Sequence, residues 1–256
     1  PDCLHPSPEG AWRWAEKMEP LLAELFGDES RTLSGDGPFN TGWAGFAAHR
    51  DARLAQFAKK KAGDRGAVVF LGDSITEQWN LAEAFPGLKT ANRGISGDTS
   101  RGMLCRLQDN VLDLAPRAVV LLCGTNDLHQ TPPATAGEIS ANVFLMLEAI
   151  QKAVPGTPVL VCEIFPSDSR PREAIRNANA NVDPIVAGFP NARRIRTHDL
   201  FFKPDGTRDA SLFTDGTHPN AKGYAVWKSA LAPELEKLGR PVGSDKSVPS
   251  APSPQA

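Results

Sequence analysis

The chain lacks most features that commit a sequence early to a class. No apolar stretch reaches the roughly 18 residues that a membrane-spanning helix needs. Charges nearly cancel, with 28 Lys and Arg against 30 Asp and Glu and a net charge of -2. A nucleic-acid footprint would need clustered cations, so that class is excluded. The one basic run, Lys59-Lys60-Lys61, ends a helical pattern, where it complements the helix dipole. The four cysteines, Cys3, Cys105, Cys123 and Cys162, form no C-x-x-C pair and have no histidines at zinc spacing. Cys123 and Cys162 lie in apolar runs and read as inert buried thiols. There is no G-x-x-x-x-G-K-[ST] phosphate loop and no internal repeat. The first residue is Pro1 rather than Met. A removed leader would make the protein secreted or periplasmic, and a cytoplasmic location stays open.

What is present suits one domain with elaborations. The 256 residues are 41% hydrophobic, enough for a substantial core. Residues 1–65 read as a helical extension, with Trp12, Trp14, Leu21, Leu22, Leu25 and Phe26 in one segment. Phe46, Arg50, Leu54 and Phe57 follow at helical spacing in a second. Residues 66–239 form the main domain, and residues 240–256, rich in Pro and Ser, a disordered tail.

The main domain alternates apolar runs with helical patterns. Residues 67–71, 118–123 and 158–164 are continuous apolar runs, as buried parallel strands should be. Residues 192–197 are a weaker strand and 89–92 a short one. Helical stretches fall near 99–109, 135–153, 171–187 and 219–238. This alternation implies an α/β sandwich with a mostly parallel sheet, whose ligand site lies beyond the carboxyl ends of the strands.

Four motifs stand at those ends or at a helix entrance. Gly72-Asp73-Ser74 follows the first strand, and Ser74 is either a helix N-cap or a nucleophile set where the helix dipole favours negative charge. Asn92-Arg93-Gly94-Ile95-Ser96-Gly97-Asp98-Thr99 is a turn, with Asp98 or Thr99 available as a cap. In Gly124-Thr125-Asn126-Asp127, the Asn126 amide is a candidate oxyanion donor, or the segment is a turn capped by Asp127. In Asp215-Gly216-Thr217-His218-Pro219 the carboxylate can orient the imidazole, with Pro219 at the first helical position. His5, His49, His129 and His198 are the competing bases, and none has an Asp at this spacing before a helix. In order, the motifs supply a nucleophile, a backbone donor, an amide donor and an acid–base pair.

Together these residues resemble the SGNH, or GDSL-type, hydrolase superfamily over residues 67–238. The resemblance implies a three-layer αβα sandwich with a flavodoxin-like, mostly parallel sheet. It implies Ser74 as nucleophile, with Asp73 in support and Asp215 and His218 completing a triad. The Ser74 and Gly97 N–H groups and the Asn126 amide would form the oxyanion hole. The usual leucine of the signature is Ile75, an isosteric change. Residues 92–107 with 124–127 look most like the branch containing platelet-activating-factor acetylhydrolase catalytic subunits and bacterial acetylesterases. That branch implies hydrolysis of small acyl esters, acetyl above all, of a small-molecule or carbohydrate alcohol, with no cofactor and no metal. An acyltransferase or lipase-type enzyme with the same site, and a non-catalytic carbohydrate-binding protein, are the alternatives.

Overall fold

The computed structural model describes Trp43 and residues 45–239. The expectations for the segment from Trp12 to Phe26 and for the tail fall outside these residues. The first helix, α1 (Phe46–Asp64), realises the second helical pattern of the extension, with Phe46 and Phe57 buried. Then follow β1 (Val68–Gly72), the one-turn helices α2 (Ser74–Glu77) and α3 (Leu81–Ala84), and β2 (Thr90–Gly94). After them come α4 (Ser100–Cys105), α5 (Leu107–Asn110), β3 (Ala118–Leu121), α6 (Ala136–Ala153) and β4 (Val159–Cys162). The domain closes with α7 (Arg172–Ala187), β5 (Ala192–Ile195) and α8 (Ala221–Gly239).

All five strands are parallel, in the order β2-β1-β3-β4-β5. This is the flavodoxin-like order, in which the chain reverses direction across the sheet beside β1. The period of two sorts each strand between two cores. Val69, Leu71, Val119, Leu121, Val159 and Val161 face one side and meet α4 to α7. Val68, Phe70, Val120, Leu122, Leu160 and Cys162 face the other and meet Trp79, Phe85 and the α8 residues Trp227 and Leu231. Burial on both faces explains why these strands read as unbroken apolar runs rather than alternating ones. The helix α6 starts with a reciprocal cap, the Thr135 hydroxyl accepting from the Glu138 N–H and the Glu138 carboxylate from the Thr135 N–H.

Two local expectations are corrected. Pro219 is not the first helical residue. It pairs with Phe213 in an antiparallel bridge, and α8 begins at Ala221, with Asn220 Oδ1 accepting from Lys222 and Gly223 N–H. Asp127, the alternative cap of its own turn, reaches instead to the first residue of α4. It is buried and accepts from the Ser100 N–H at 2.9 Å and from the Ser100 hydroxyl.

Candidate active site

The ends of the adjacent strands β1, β2 and β3 carry three of the motifs, and the fourth lies in the loop before α8. Leaving β1, the chain turns into α2 at Asp73, whose Oδ1 accepts from the Ile75 N–H at 2.9 Å. Asp73, not Ser74, is therefore the N-cap, and the Ser74 hydroxyl is free for another partner. That partner is His218, with Nε2 2.8 Å from Ser74 Oγ. Nδ1 of the same ring lies 2.8 Å from Asp215 Oδ2. Asp215 Oδ1 also accepts from the Thr217 and His218 N–H groups, each at 2.7 Å, so the whole turn is wound around this carboxylate. Burial alone would raise the Asp215 carboxyl. The N–H and imidazole donors of His218 and the Thr217 N–H outweigh it and hold the carboxyl down at about 2. A carboxylate at neutral pH can only accept, so Nδ1 carries the ring proton. Nε2 of neutral His218 is then the acceptor that faces the Ser74 hydroxyl.

The loop after β2 and the loop after β3 complete the surroundings. Gly97 has φ +84°, and a Cβ there would also lie 2.8 Å from the Phe46 ring, so only glycine fits. The Asn126 amide donates to the Asp98 carbonyl at 3.0 Å, which ties the β3 loop to the β2 loop and leaves its second N–H uncommitted. Among the described residues no acceptor takes the Ser74 or Gly97 N–H. Thr99 caps α4 through Gly102, while Asp98 turns inward to Arg106 at 2.7 Å. Arg106 also donates to the carbonyls of Gly72 and Arg93, at 3.2 and 2.8 Å, and so ties the ends of β1 and β2 to the loop between Ile95 and Asp98. On the other side, the Tyr224 hydroxyl donates to the Ile75 carbonyl at 2.8 Å, fixing α8 against α2.

Two of the competing histidines have other partners. His198 is buried, its ring 2.9 Å from the Ile164 carbonyl. His49 on α1 lies 2.9 Å from Glu77. His129 sits beside the Asn126 loop, its pKa lowered first by the Arg170 charge and then by burial. His5 lies outside the described residues. Lys61 pairs with Asp109 and Asp113. Burial of Cys162 pushes its thiol up to about 12, as for an inert core residue. Among the described residues no group of three or more His, Cys, Asp or Glu is placed to hold a metal, and no helix is long and apolar enough to cross a membrane. Glu77 and Tyr224 carried no sequence signal, and the stretches that include Arg106 and Asp127 did not reveal their roles, because the partners are distant along the chain.

Residues 70–226 match the family described as the GDSL-like Lipase/Acylhydrolase family. The chain is 32% identical over 179 residues to platelet-activating factor acetylhydrolase IB subunit alpha1 of Rattus norvegicus, covering 67% of this chain and 75% of that protein. The bovine (Bos taurus) counterpart is 31% identical over 196 residues, covering 73% and 82%. Among solved structures, a GDSL-like lipase from Bacteroides thetaiotaomicron superposes with a TM-score of 0.63 at 24% identity, over 73% of this chain and 98% of that one. An acetylxylan esterase from Geobacillus stearothermophilus does so with a TM-score of 0.56 at 20% identity, over 69% and 95%. The fold and the match together define an ester hydrolase. The chain belongs to the GDSL-like lipase/acylhydrolase family.

Proposed function

We propose that the protein hydrolyses short-chain carboxylic esters, acetyl esters above all, of a hydroxyl-rich alcohol such as a carbohydrate, through an acyl-enzyme on Ser74. The observation that carries this reading is the continuous relay from Ser74 Oγ to His218 Nε2 and from His218 Nδ1 to Asp215, with both links at 2.8 Å. His218 takes the Ser74 proton as Oγ attacks the ester carbonyl. The resulting oxyanion is held by the N–H groups of Ser74 and Gly97 and the free N–H of the Asn126 amide. Asp215 stabilises the imidazolium without taking its proton. His218 then protonates the departing alcohol, and a water activated by the same ring attacks the acyl-enzyme to release the acid and restore Ser74. Each step uses only groups of this chain and water.

The acyl and alcohol preferences rest on the rim and on the relatives. The names of the rat acetylhydrolase subunit and the Geobacillus acetylxylan esterase both specify acetyl esters. Next to His218 the hydroxyls of Ser167, Ser169 and Thr217 form a hydrogen-bonded cluster, with Ser167 to Thr217 at 2.8 Å and Ser169 to Thr217 at 3.1 Å. Arg170 joins it through Ser169. A rim of exchangeable hydroxyl donors and acceptors fits a polyol better than a hydrocarbon tail. The test is Ser74→Ala, assayed on an aryl acetate and on acetylated xylo-oligosaccharides. A folded variant should lose more than about 10³-fold in kcat. Near wild-type turnover by folded Ser74→Ala protein would end the reading.

A further inference from the structure

We infer that Glu77 is a positioning residue for the oxyanion hole, and that helix α1 clamps it in place through His49 and Arg53. The inference rests on the proposed roles of Ser74 and Gly97 and extends them to α1, which lies outside the family match. Glu77 ends the one-turn helix that Ser74 begins, so it moves with the nucleophile. Its Oε2 accepts from the Ser96 N–H at 2.6 Å and the Ser96 hydroxyl at 2.8 Å. Ser96 directly precedes Gly97, so one carboxylate sets the distance between the nucleophile's helix and the donor loop.

The clamp comes from the extension. His49 Nε2 lies 2.9 Å from the same Glu77 oxygen, and Arg53 Nε lies 3.3 Å from Oε1. Arg53 also donates twice to the Gly94 carbonyl, at 3.1 and 2.9 Å, at the end of β2 where the loop begins. One turn earlier on α1, the fully buried Phe46 ring fills the space where Gly97 has no side chain. Burial raises the Glu77 carboxyl, but the donors from His49 and Ser96 outweigh it and hold the group below its ordinary value. It therefore stays an anion and a full acceptor. At Gly94 a Cβ would sit 2.2 Å from the Glu77 N–H nitrogen, so α2 and the end of β2 are in direct contact and a shift of one moves the other. Displacing donor groups by about an ångström is enough to cost catalysis roughly 10²-fold.

The experiment compares Glu77→Ala and Glu77→Gln with wild type in kcat, KM and inhibition by an aryl trifluoromethyl ketone. Such a ketone adds to the serine and leaves a tetrahedral oxyanion in the hole. Glu77→Ala should lower kcat by about 10- to 100-fold with KM within about twofold, and Ki for the ketone should rise by the same factor as kcat/KM falls. Glu77→Gln keeps a carbonyl for the Ser96 N–H and should recover part of the loss. Unchanged kcat in folded Glu77→Ala, or a higher KM with kcat intact, would overturn the inference. If Glu77→Ala does not fold, His49→Ala and Arg53→Ala carry the test from the α1 side of the clamp, where both side chains are partly exposed. Each should show smaller losses of the same kind, and wild-type kcat in both would overturn it equally. A wild-type enzyme that the ketone does not inhibit would instead remove the Ser74 reading on which the inference stands.

Discussion

Asp73 shows how much a single residue next to the proposed nucleophile is asked to bear. It caps α2 through one oxygen, and its other oxygen is buried with no hydrogen-bond partner. Burial is the largest influence on it and pushes its carboxyl up to about 7; the Ile75 N–H and His218 lower it, and Asp98 and Asp127 raise it. The folded pKa thus exceeds the ordinary 3.8. The stability that Asp73 contributes is full below about pH 4. It is lost as pH rises from there through about 7, by about 1.4 kcal/mol for each pH unit. Asp73→Asn keeps the capping oxygen and removes the charge. Its unfolding free energy should therefore fall less between about pH 5 and pH 8 than that of the wild type, as urea denaturation at the two pH values would measure. Equal losses in both proteins would mean that Asp73 bears no buried charge. The sequence made Ser74, Asn126 and the Asp215–His218 pair legible, because each stands at a strand end or in one turn with its partner. It did not reveal that Asp73 takes the cap and leaves Ser74 free. Nor did it reveal the roles of Glu77 and Asp127, whose partners lie 19 and 27 residues away on other elements.

At the level of elements, the site depends on how β1 and β2 end. Arg106, on the turn between α4 and α5, is almost fully buried and reaches Asp98, the Gly72 carbonyl and the Arg93 carbonyl together. Asp98 is as deeply buried, and its carboxyl is raised by that burial despite the pairing with Arg106. Removing the cation would strand a charge in the interior, for which the usual cost is about 3–5 kcal/mol. Arg106→Met should destabilise by about that much in chemical denaturation, and Asp98→Asn in the same chain should restore part of it, since the two side chains act as one unit. A loss under about 1 kcal/mol would show that the pair adds little to the fold. The strands β1, β3 and β4 are readable as apolar runs because both faces of each are covered. The start of α8 departs from the sequence pattern for a physical reason as well. Pro219 suits a first helical turn, yet it and its neighbour His218 pair with Phe213 and Thr214, and Asn220 supplies the cap one residue later.

At the scale of the whole molecule, apolar side chains of the described residues are concentrated in cores on either side of the sheet, and this distribution bears on which acyl groups the proposed site can hold. Four large hydrophobic side chains are exposed among the described residues: Trp43, Phe144, Leu145 and Leu200. Phe144 packs edge-on against Phe189, ahead of β5 and away from the strands' carboxyl ends. Trp43 stands at the site, its ring beside Gly97 and Phe46, while Phe46 itself is fully buried and offers no surface to a ligand. Beside His218 stand Ser167, Asp168, Ser169, Arg170 and Thr217, all polar. The imidazole of His218 is about a quarter exposed and the Asp215 side chain about half, so water reaches the relay from the rim. An acyl chain extending from the ester carbonyl carried on Ser74 Oγ across such a surface keeps its methylenes in water. It gains none of the roughly 0.8 kcal/mol that burying each would supply, and a long chain also loses freedom near the rim. Short acyl groups lose nothing by this arrangement. Across a series of aryl esters, kcat/KM should therefore fall steeply from acetyl through butyryl to octanoyl, mainly through KM. An octanoyl ester hydrolysed as well as or better than the acetate would mean that Trp43 and the rest of the extension enclose an acyl groove, and that the enzyme acts as a lipase rather than an acetylesterase.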